Sequence, residues 1–283
     1  MICFPNAKIN IGLYITEKRH DGYHNVESIF YPIPLMDALE GVISEKTSLT
    51  QTGLPLETAP EDNLVMKAYA LMAKRYKLPA LDIFLQKAIP SGAGLGGGSA
   101  DAAFMLMMCR QYALSSSWQG TKQSECNQVT IIKMAESIGA DCPFFLRNTP
   151  AIVTGTGNIF QPSDISLKGY VIYIVKPPVS ISTKEAYSMV KPQKPVFSLN
   201  KLSSIPVHEW KYMVKNDFEP GMFKKYPIIE EIKDKLYSLG AEYASMSGSG
   251  SAVYGLFKNN VFSPFSSFSL TFADCFTWKG MLE

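Results

Sequence analysis

The stretch PSGAGLGGGSA, from Pro90 to Ala100, places five glycines in the seven positions 92–98. In a regular helix or strand, each glycine costs roughly 1 kcal/mol relative to alanine. So dense a cluster therefore indicates a backbone that must come close to something else. A strand is predicted before the stretch and a helix after it. Successive amide groups and a helix N terminus in this arrangement suit a phosphate.

Three other interpretations of this glycine loop compete with a phosphate site. Gly92, Gly94 and Gly97 satisfy the dinucleotide pattern G-x-G-x-x-G, but the acid expected roughly 20 residues later is missing from SSSWQG at 115–120. A Walker loop requires a lysine followed by Ser or Thr, and Gly98 and Ser99 follow Gly97 instead. The third interpretation is a turn that only packs a helix on a sheet. In a phosphate site without its own lysine, by contrast, Ser99 would cap the following helix or contact a phosphate. A phosphate loop without its own lysine needs a cation and an acceptor-positioning group from elsewhere in the chain.

Two other stretches accompany the loop, PNAKINIGLYI at 5–15 and SMSGSGSAVY at 245–254. In order and spacing the three resemble the GHMP kinase superfamily along nearly the whole chain. The resemblance implies an α+β fold with an ATP-binding N-terminal domain over 1–165, similar to domain 2 of ribosomal protein S5. It also implies a ferredoxin-like C-terminal domain over 166–283, with the active site in the interdomain cleft. The implied cofactor is ATP as its magnesium complex.

Two further motifs, DGYHNVES at 21–28 and GADCPFF at 139–145, resemble one member of that superfamily. The resemblance implies that ATP phosphorylates the 2-hydroxyl of a small cytidyl diphosphate substrate in the non-mevalonate isoprenoid pathway. Two alternatives remain open. Another small-molecule kinase, for homoserine or mevalonate, is disfavoured by DGYH. A non-catalytic nucleotide-binding or regulatory protein is disfavoured by the presence of both Lys8 and Asp141.

Lys8 and Asp141 are the candidate catalytic residues. By residue type alone, Lys8 is an edge-strand or snorkelling lysine, and Asp141 is the N-cap of a helix that begins at Pro143. The resemblance implies that Lys8 stabilises developing negative charge and that Asp141 is the general base. An ordinary aspartate has a pKa of about 4 and is a weak base at neutral pH. We therefore expect positioning by Asp141 to outweigh proton abstraction.

The resemblance also implies two sets of binding residues, each with a plain structural alternative. Asn63 is first a helix cap, Lys87 a solvated strand-end charge, and Tyr23 with His24 an exposed turn pair. The implied cofactor-binding set is Pro90, Ser91, Gly92, Ala93, Gly94, Leu95, Gly96, Gly97, Gly98, Ser99, Ala100, Asn63 and Lys87. The implied substrate-binding set is Asn10, Tyr23, His24, Thr183, Tyr187 and Gly248. No metal ligand is assigned, because Gly97 and Gly98 stand where relatives carry serines.

The elements that must position these residues alternate irregularly between strand and helix, which favours α+β over a doubly wound sheet. Apolar and β-branched runs predict strands at 2–16, 26–44, 81–89, 151–157 and from 170. Helical spacing of apolar residues predicts helices at 63–77, 99–114, 128–138, 183–190, 210–216 and 228–239.

Composition excludes several classes of protein. Of the 283 residues, 46% are apolar, which is enough for a sizeable core. The 27 basic and 25 acidic residues leave a net charge of +2, so nucleic acid is not expected as a partner. Five cysteines without a C-x-x-C pair indicate reduced thiols. The N terminus does not resemble a signal peptide and the apolar runs are too short for a membrane span. We expect a cytoplasmic protein and make no prediction of oligomeric state.

Overall fold

The computed structural model describes residues 1–55, 62–115, 126–259 and 271–283. The chain divides into two compact units, and each is assembled from three stretches of sequence. Unit 1 contains residues 1–7, 35–91 and 96–148, and unit 2 contains residues 8–34, 92–95 and 149–283. Because both units are discontinuous, they differ from the predicted pair of single stretches, and the domain boundary after residue 165 stays a prediction.

Unit 1 is a four-stranded sheet covered by helices. The sheet order is β1 (Ile2–Cys3), β4 (Ala38–Ser44), β6 (Ala80–Lys87) and β5 (Ser48–Gly53), with β4 antiparallel and β5 parallel to β6. Alternate residues of β6 point inward, and Leu81, Ile83 and Leu85 are buried there. Against them pack α1 (Leu64–Arg75), α2 (Gly97–Leu114), α3 (Gln128–Ile138) and α4 (Cys142–Arg147).

Helix α2 directly follows the glycine loop and is buried on almost every side. Eleven of its 18 residues are buried, including Ala100, Met105 and Cys109. A helix that is apolar all round belongs inside a core. The position of its first turn is therefore fixed by packing.

Unit 2 contains two four-stranded sheets. The first has the order β2 (Asn6–Lys18), β3 (His24–Met36), β7 (Ala151–Thr154) and β8 (Ile159–Pro162). The second has the antiparallel order β10 (Tyr243–Met246), β11 (Val253–Lys258), β9 (Tyr170–Lys176) and β12 (Phe276–Met281). The remaining elements are α5 (Thr183–Met189), α6 (Glu219–Lys225), α7 (Pro227–Ser238) and two 3₁₀ helices at Leu199–Ser204 and Val207–Tyr212.

Most of the predicted helices and strands are present, and the differences concern where individual elements begin and end. Helices α1, α3, α5 and α7 lie within two residues of their predicted bounds, and α2 begins two residues earlier. The strand predicted over 26–44 is broken at Asp37, and the helix predicted over 210–216 is a 3₁₀ turn that ends at Tyr212. Within the described part of the chain, no helix combines the length and the apolar composition needed to span a bilayer.

Candidate active site

The glycine loop connects β6, which ends at Lys87, to α2. Gly92, Gly94 and Gly96 have φ values of 59°, 73° and 73°, in the left-handed region that glycine occupies without strain. Gly96 is the N-cap of α2 and makes no side-chain cap. Ser99 is therefore the third residue of the helix, and the suggestion that it caps the helix is wrong.

The carbonyl groups at the tip of the loop all accept hydrogen bonds within unit 2. Residues 92–95 receive them from the amides of Ser251, Ala252 and Lys8, at 3.3, 3.2 and 2.9 Å, and from the Ser247 hydroxyl at 2.8 Å. Four consecutive carbonyls are thus turned toward the protein. This orientation is imposed by β2 and by the SMSGSGS turn together.

The amide groups of the same loop are differently placed. Among the residues that the structure describes, none supplies a hydrogen-bond acceptor to the amides from Gly92 to Ser99, whereas Ala100 donates to Gly96 at 2.9 Å. The last three of these amides open a helix, where donors are left over in any case. Proteins seldom leave a row of amide donors without acceptors. The loop therefore presents a row of amide donors, and the predicted anion site stays a prediction.

Lys8 lies in β2 and is only 3% exposed. Its Nζ donates to Asn10 Oδ1 at 2.5 Å and to the Gly94 carbonyl at 3.2 Å, and it lies 4.5 Å from the centre of the Phe30 ring. Residues two apart in a strand point to the same face, and this contact shows Lys8 and Asn10 on one face of β2. Asn10 is itself oriented, because its Nδ2 donates to Ser28 Oγ at 2.9 Å.

The SMSGSGS turn joins β10 to β11 and packs directly on the loop tip. Gly248 has a φ of 57°, and a Cβ added there would lie 3.2 Å from Gly94 Cα. A Cβ added at Gly94 would lie 1.9 Å from the Ser247 carbonyl oxygen. Both glycines are therefore required by close backbone approach, and unit 2 brings Lys8, Asn10 and this turn to one place.

Two buried polar residues that sequence reasoning missed support the turn. Asn216 Nδ2 donates to the carbonyls of Met246 and Gly248, both at 2.8 Å. Glu219 Oε1 accepts from the Met246 amide at 2.9 Å. Both residues belong to a polar-looking segment, KNDFE at 215–219, which gives no periodic signal.

Asp141 is the N-cap of α4 in unit 1, but its side chain makes no cap hydrogen bond. The helix begins at Cys142, one residue before the predicted start. Asp141 is half-buried, and its side chain does not cap the helix that it precedes. The predicted cap position is confirmed, and the predicted cap interaction is wrong.

The GADC turn lies against the first turn of α2. A Cβ added at Gly139 would lie 3.4 Å from Cys142 Sγ and 3.8 Å from Ser99 Oγ. Burial raises the pKa of Cys142 to about 11, against the smaller opposite effect of Ser99, so the thiol stays protonated at neutral pH. Unit 1 therefore places the Asp141 turn next to the helix end of the glycine loop.

The two remaining cofactor candidates have well-defined structural partners. Asn63 is the N-cap of α1, and its Oδ1 accepts from the Val65 amide at 2.9 Å. Lys87 is a buried residue, so the interpretation of a solvated strand-end charge is wrong. Its ammonium forms ion pairs with Asp37 and Asp101, and the second is 2.6 Å long.

The predicted substrate residues include an aromatic pair in unit 2. The rings of His24 and Tyr187 are stacked, with centroids 4.8 Å apart and planes at 23°. Tyr23 is 66% exposed, so His24, rather than Tyr23, covers Tyr187. Burial, with a smaller contribution from Lys18, lowers the pKa of His24 and favours the neutral ring. Thr183 is an exposed residue in the first turn of α5.

The same geometry bears on metal coordination. Within the ranges that the structure describes, no three His, Cys, Asp or Glu side chains are grouped so that they could hold a metal ion. This observation assigns no protein ligand to a cation that accompanies a bound phosphate.

Two domains of a known protein family match the parts of the chain that contain these residues. Residues 63–149 match the GHMP kinases N terminal domain, and residues 208–261 match the GHMP kinases C terminal domain. The first match contains the loop, Asn63, Lys87 and Asp141. The second contains the SMSGSGS turn and its two buried supports.

The full chain is 54% identical to a protein of Parabacteroides distasonis named 4-diphosphocytidyl-2-C-methyl-D-erythritol kinase, with 100% of both chains covered. A Bacteroides fragilis protein of the same name is 54% identical over 91% of this chain and 92% of its own. A solved 4-(cytidine 5'-diphospho)-2C-methyl-D-erythritol kinase superposes with a TM-score of 0.81 at 28% identity, covering 100% of this chain and 99% of that one. The chain belongs to the GHMP kinase superfamily, in the family of the 4-diphosphocytidyl-2-C-methyl-D-erythritol kinases.

Proposed function

We propose that this ATP-dependent kinase phosphorylates the 2-hydroxyl of 4-diphosphocytidyl-2-C-methyl-D-erythritol, and releases ADP, in the non-mevalonate isoprenoid pathway. The substrate is taken from the names of relatives that match the chain over its whole length. The observation that carries the reaction type is the row of amides from Gly92 to Ser99 beside the N terminus of α2. Such a row binds phosphate through its backbone.

ATP is proposed to bind along the glycine loop, with its phosphates on the amide row. The adenine end is assigned to the region of Asn63. Its Oδ1 accepts from the Val65 amide in the helix cap, and its Nδ2, which lies 3.5 Å from Gln51 Oε1, is the group proposed to contact a base. We propose that ATP enters as its magnesium complex, since a divalent cation neutralises phosphate charge during transfer. The chain contributes backbone amides to this complex and no cluster of carboxylates among its described residues.

The chemistry is assigned to Lys8 and Asp141. The Lys8 ammonium, held by Asn10 and the Gly94 carbonyl, would stabilise the negative charge that develops on the transferred phosphate and the attacking oxygen. Asp141 would accept a hydrogen bond from the 2-hydroxyl and align it for in-line attack on the γ-phosphate. Because phosphoryl transfer has a loose transition state, alignment contributes more than early removal of the proton.

The cytidyl end is assigned to the aromatic pair of His24 and Tyr187. Their stack supplies a face for a pyrimidine ring, and the neutral state of His24 allows its ring nitrogens to act as one donor and one acceptor. The two rings would separate, or His24 would move aside, when a base takes its place on Tyr187. Tyr23 covers the base from solvent, and Thr183, Asn10 and Gly248 are further proposed contacts.

We place the reaction in the cytoplasm. All five cysteines are free thiols, which is typical of a reducing compartment. No nucleic acid partner is proposed, in line with the net charge of +2.

A coupled assay of ADP release tests the substrate assignment. The purified chain is offered the cytidyl substrate, homoserine, mevalonate and galactose under identical conditions. We expect turnover with the cytidyl substrate alone. Turnover with another acceptor in its place would assign the chain a different kinase activity, and no turnover with any acceptor would favour a non-catalytic nucleotide-binding role.

A further inference from the structure

The buried triad is an ionic cluster in unit 1 formed by Lys87, Asp37 and Asp101. Their exposed fractions are 3%, 1% and 2%. Lys87 Nζ donates to one oxygen of each carboxylate, at 2.6 Å in the case of Asp101. Two carboxylates share one ammonium, so the cluster carries an excess negative charge when both are ionised.

The triad joins three segments of chain. Asp37 lies between β3 and β4, and its second oxygen accepts from the amides of Ala88 and Ile89, at 2.6 and 2.8 Å. These two residues open the glycine loop. Lys87 is the last residue of β6, and Asp101 is the fifth residue of α2. The cluster thus fixes both ends of the loop that lie in unit 1.

The first turn of α2 sits directly on this cluster. A Cβ added at Gly97 would lie 2.7 Å from Ile89 Cγ2 and 3.4 Å from Lys87 Nζ. A shift of the Lys87 ammonium would therefore be transmitted to the amides of Gly97 and its neighbours. Those amides belong to the row that is proposed to hold phosphate.

A gain in folding stability alone does not explain this buried ionic cluster. Replacement of a buried ion pair by apolar residues of similar volume is often neutral or stabilising. Asp101 Oδ1 is also buried and, among the described residues, has no hydrogen-bond partner. Burial raises the pKa of Asp101 to about 7, with Lys87 opposing and Asp37 reinforcing the shift, so the excess charge is partly removed by a proton at neutral pH. Burial of these charged groups costs folding free energy. We therefore look for their role in the placement of the loop that they contact.

We propose that the buried triad is a positioning device for nucleotide binding: Lys87, Asp37 and Asp101 fix the loop amides at the phosphate-binding spacing without touching ATP themselves. This inference rests on the proposed function, which assigns ATP to the loop. It replaces the earlier hypothesis that Lys87 contacts the nucleotide directly.

Four variants test this role: Lys87→Met, Asp101→Asn, the double variant of both, and Lys67→Met as control. Lys67 is a surface lysine of α1 in the same unit, paired with Asp62. ATP affinity is measured by equilibrium titration with ATP itself, and KM for ATP and for the cytidyl substrate by ADP release. Thermal unfolding defines a temperature at which every variant is folded.

We expect Lys87→Met to weaken ATP binding about 100-fold, since it leaves two buried carboxylates without their cation. Asp101→Asn leaves a one-to-one pair and is expected to weaken ATP binding only about threefold. The double variant is expected to recover to about tenfold, which measures the coupling between the two residues. KM for the cytidyl substrate should stay within about twofold throughout, and Lys67→Met should match the wild type.

An unchanged ATP affinity in folded Lys87→Met, or an equal rise in both KM values, would overturn the inference. If Lys87→Met does not fold, the same criteria apply to Asp101→Asn and the double variant. A wild-type chain that binds ATP but does not turn over the cytidyl substrate would contradict the proposed function alone. The ATP titrations of the variants would still decide the role of the triad.

Discussion

Each unit contains one part of the glycine loop and one buried lysine beside that part, Lys8 in unit 2 and Lys87 in unit 1. The two ammonium groups have different hydrogen-bond partners. In unit 2, Lys8 Nζ donates to an amide oxygen of Asn10 and to the Gly94 carbonyl. In unit 1, Lys87 Nζ donates to the carboxylates of Asp37 and Asp101. The first set of contacts orients an ammonium beside the loop tip, and the second ties three segments together. The partners of the ammonium, rather than residue type or proximity to a motif, therefore distinguish the lysine proposed to be catalytic from the lysine proposed to position the loop.

The largest expected effect is on turnover, and it should separate the two lysines. Lys8→Met and Asp141→Asn are each expected to lower kcat by about 100- to 10,000-fold, because each removes a group assigned to the transition state. KM for ATP should change by less than about threefold, in contrast to Lys87→Met. Steady-state ADP release at saturating cytidyl substrate measures both constants.

Glu136→Gln is the matched control for Asp141→Asn, since Glu136 is an exposed carboxylate of α3 in the same unit. It should keep wild-type kcat. A loss of ATP affinity in Lys8→Met as large as that in Lys87→Met would erase the proposed difference between the lysines.

Gly94→Ala should be the most damaging single change within the loop. The residue has a φ of 73°, and the new Cβ would lie 1.9 Å from the Ser247 carbonyl oxygen. Left-handed strain alone costs about 1–3 kcal/mol, and the backbone overlap adds to it. Denaturant unfolding of the purified variant measures the loss. Wild-type stability would show that the SMSGSGS turn does not pack on the loop tip in solution.

A smaller and more selective effect is expected at the aromatic pair. Tyr187→Ala should raise KM for the cytidyl substrate about tenfold, because one aromatic–base stack contributes about 1–3 kcal/mol. KM for ATP should not change. Tyr212→Ala, an aromatic of the same unit with 74% of its surface exposed, is the control. An unchanged KM for the cytidyl substrate in Tyr187→Ala would remove this residue from the proposed pocket.

Two adjacent glycines at the start of α2 provide a matched pair for stability. In Gly97→Ala the new Cβ would lie 2.7 Å from Ile89 Cγ2, whereas in Gly98→Ala it would lie 3.6 Å from Leu64 Cδ1, an ordinary contact. We expect Gly97→Ala to lower the unfolding free energy by about 1–3 kcal/mol. Gly98→Ala should be neutral or stabilising by up to about 1 kcal/mol. Equal unfolding midpoints would contradict the packing of Gly97 on Ile89.

A further expected effect, spread over several pH units, is a pH dependence of stability that originates in the buried triad. The pKa of Asp101 is raised from its ordinary value of 3.8 to about 7, so the folded chain binds more protons than the unfolded chain between these values. Its contribution to stability is therefore lost as pH rises from about 4 to about 7. One proton corresponds to a slope of at most about 1.4 kcal/mol per pH unit.

Asp101→Asn should flatten that slope. The control is Asp82→Asn, which changes a half-buried carboxylate on the opposite face of β6 from Lys87 and should leave the slope intact. Denaturant unfolding at several pH values measures the difference. A slope that persists in Asp101→Asn would place the titrating group elsewhere.

Local patterns were sufficient to predict most of the fold and much of the candidate site. Helices with apolar residues on one face and clear caps, such as α1 with Asn63, were predicted within a residue or two. The contact of Lys8 with Asn10 followed from the two-residue period of a strand. Glycine density alone indicated a loop whose backbone lies close to another segment, as Gly94 does to Ser247.

Long-range polar contacts were beyond the same reasoning. Asn216 and Glu219 support the SMSGSGS turn across about 30 residues of sequence, and no periodicity marks them. Asp101 carried a weak signal, as a lone acid in an otherwise apolar helix. That signal indicates a buried partner but does not identify it. Lys87 was therefore given a solvated or a nucleotide-contacting role, because its partners lie 50 and 14 residues away.

Identification of the reaction products tests the central claim most directly. The wild-type chain is incubated with ATP and 4-diphosphocytidyl-2-C-methyl-D-erythritol, and the products are resolved by phosphorus NMR and mass spectrometry. We predict one new phosphate monoester on the 2-hydroxyl for each ADP formed, and formation of both products at least about 100-fold more slowly with Asp141→Asn. ADP without a phosphorylated acceptor, or a phosphate on a different hydroxyl, would contradict the account.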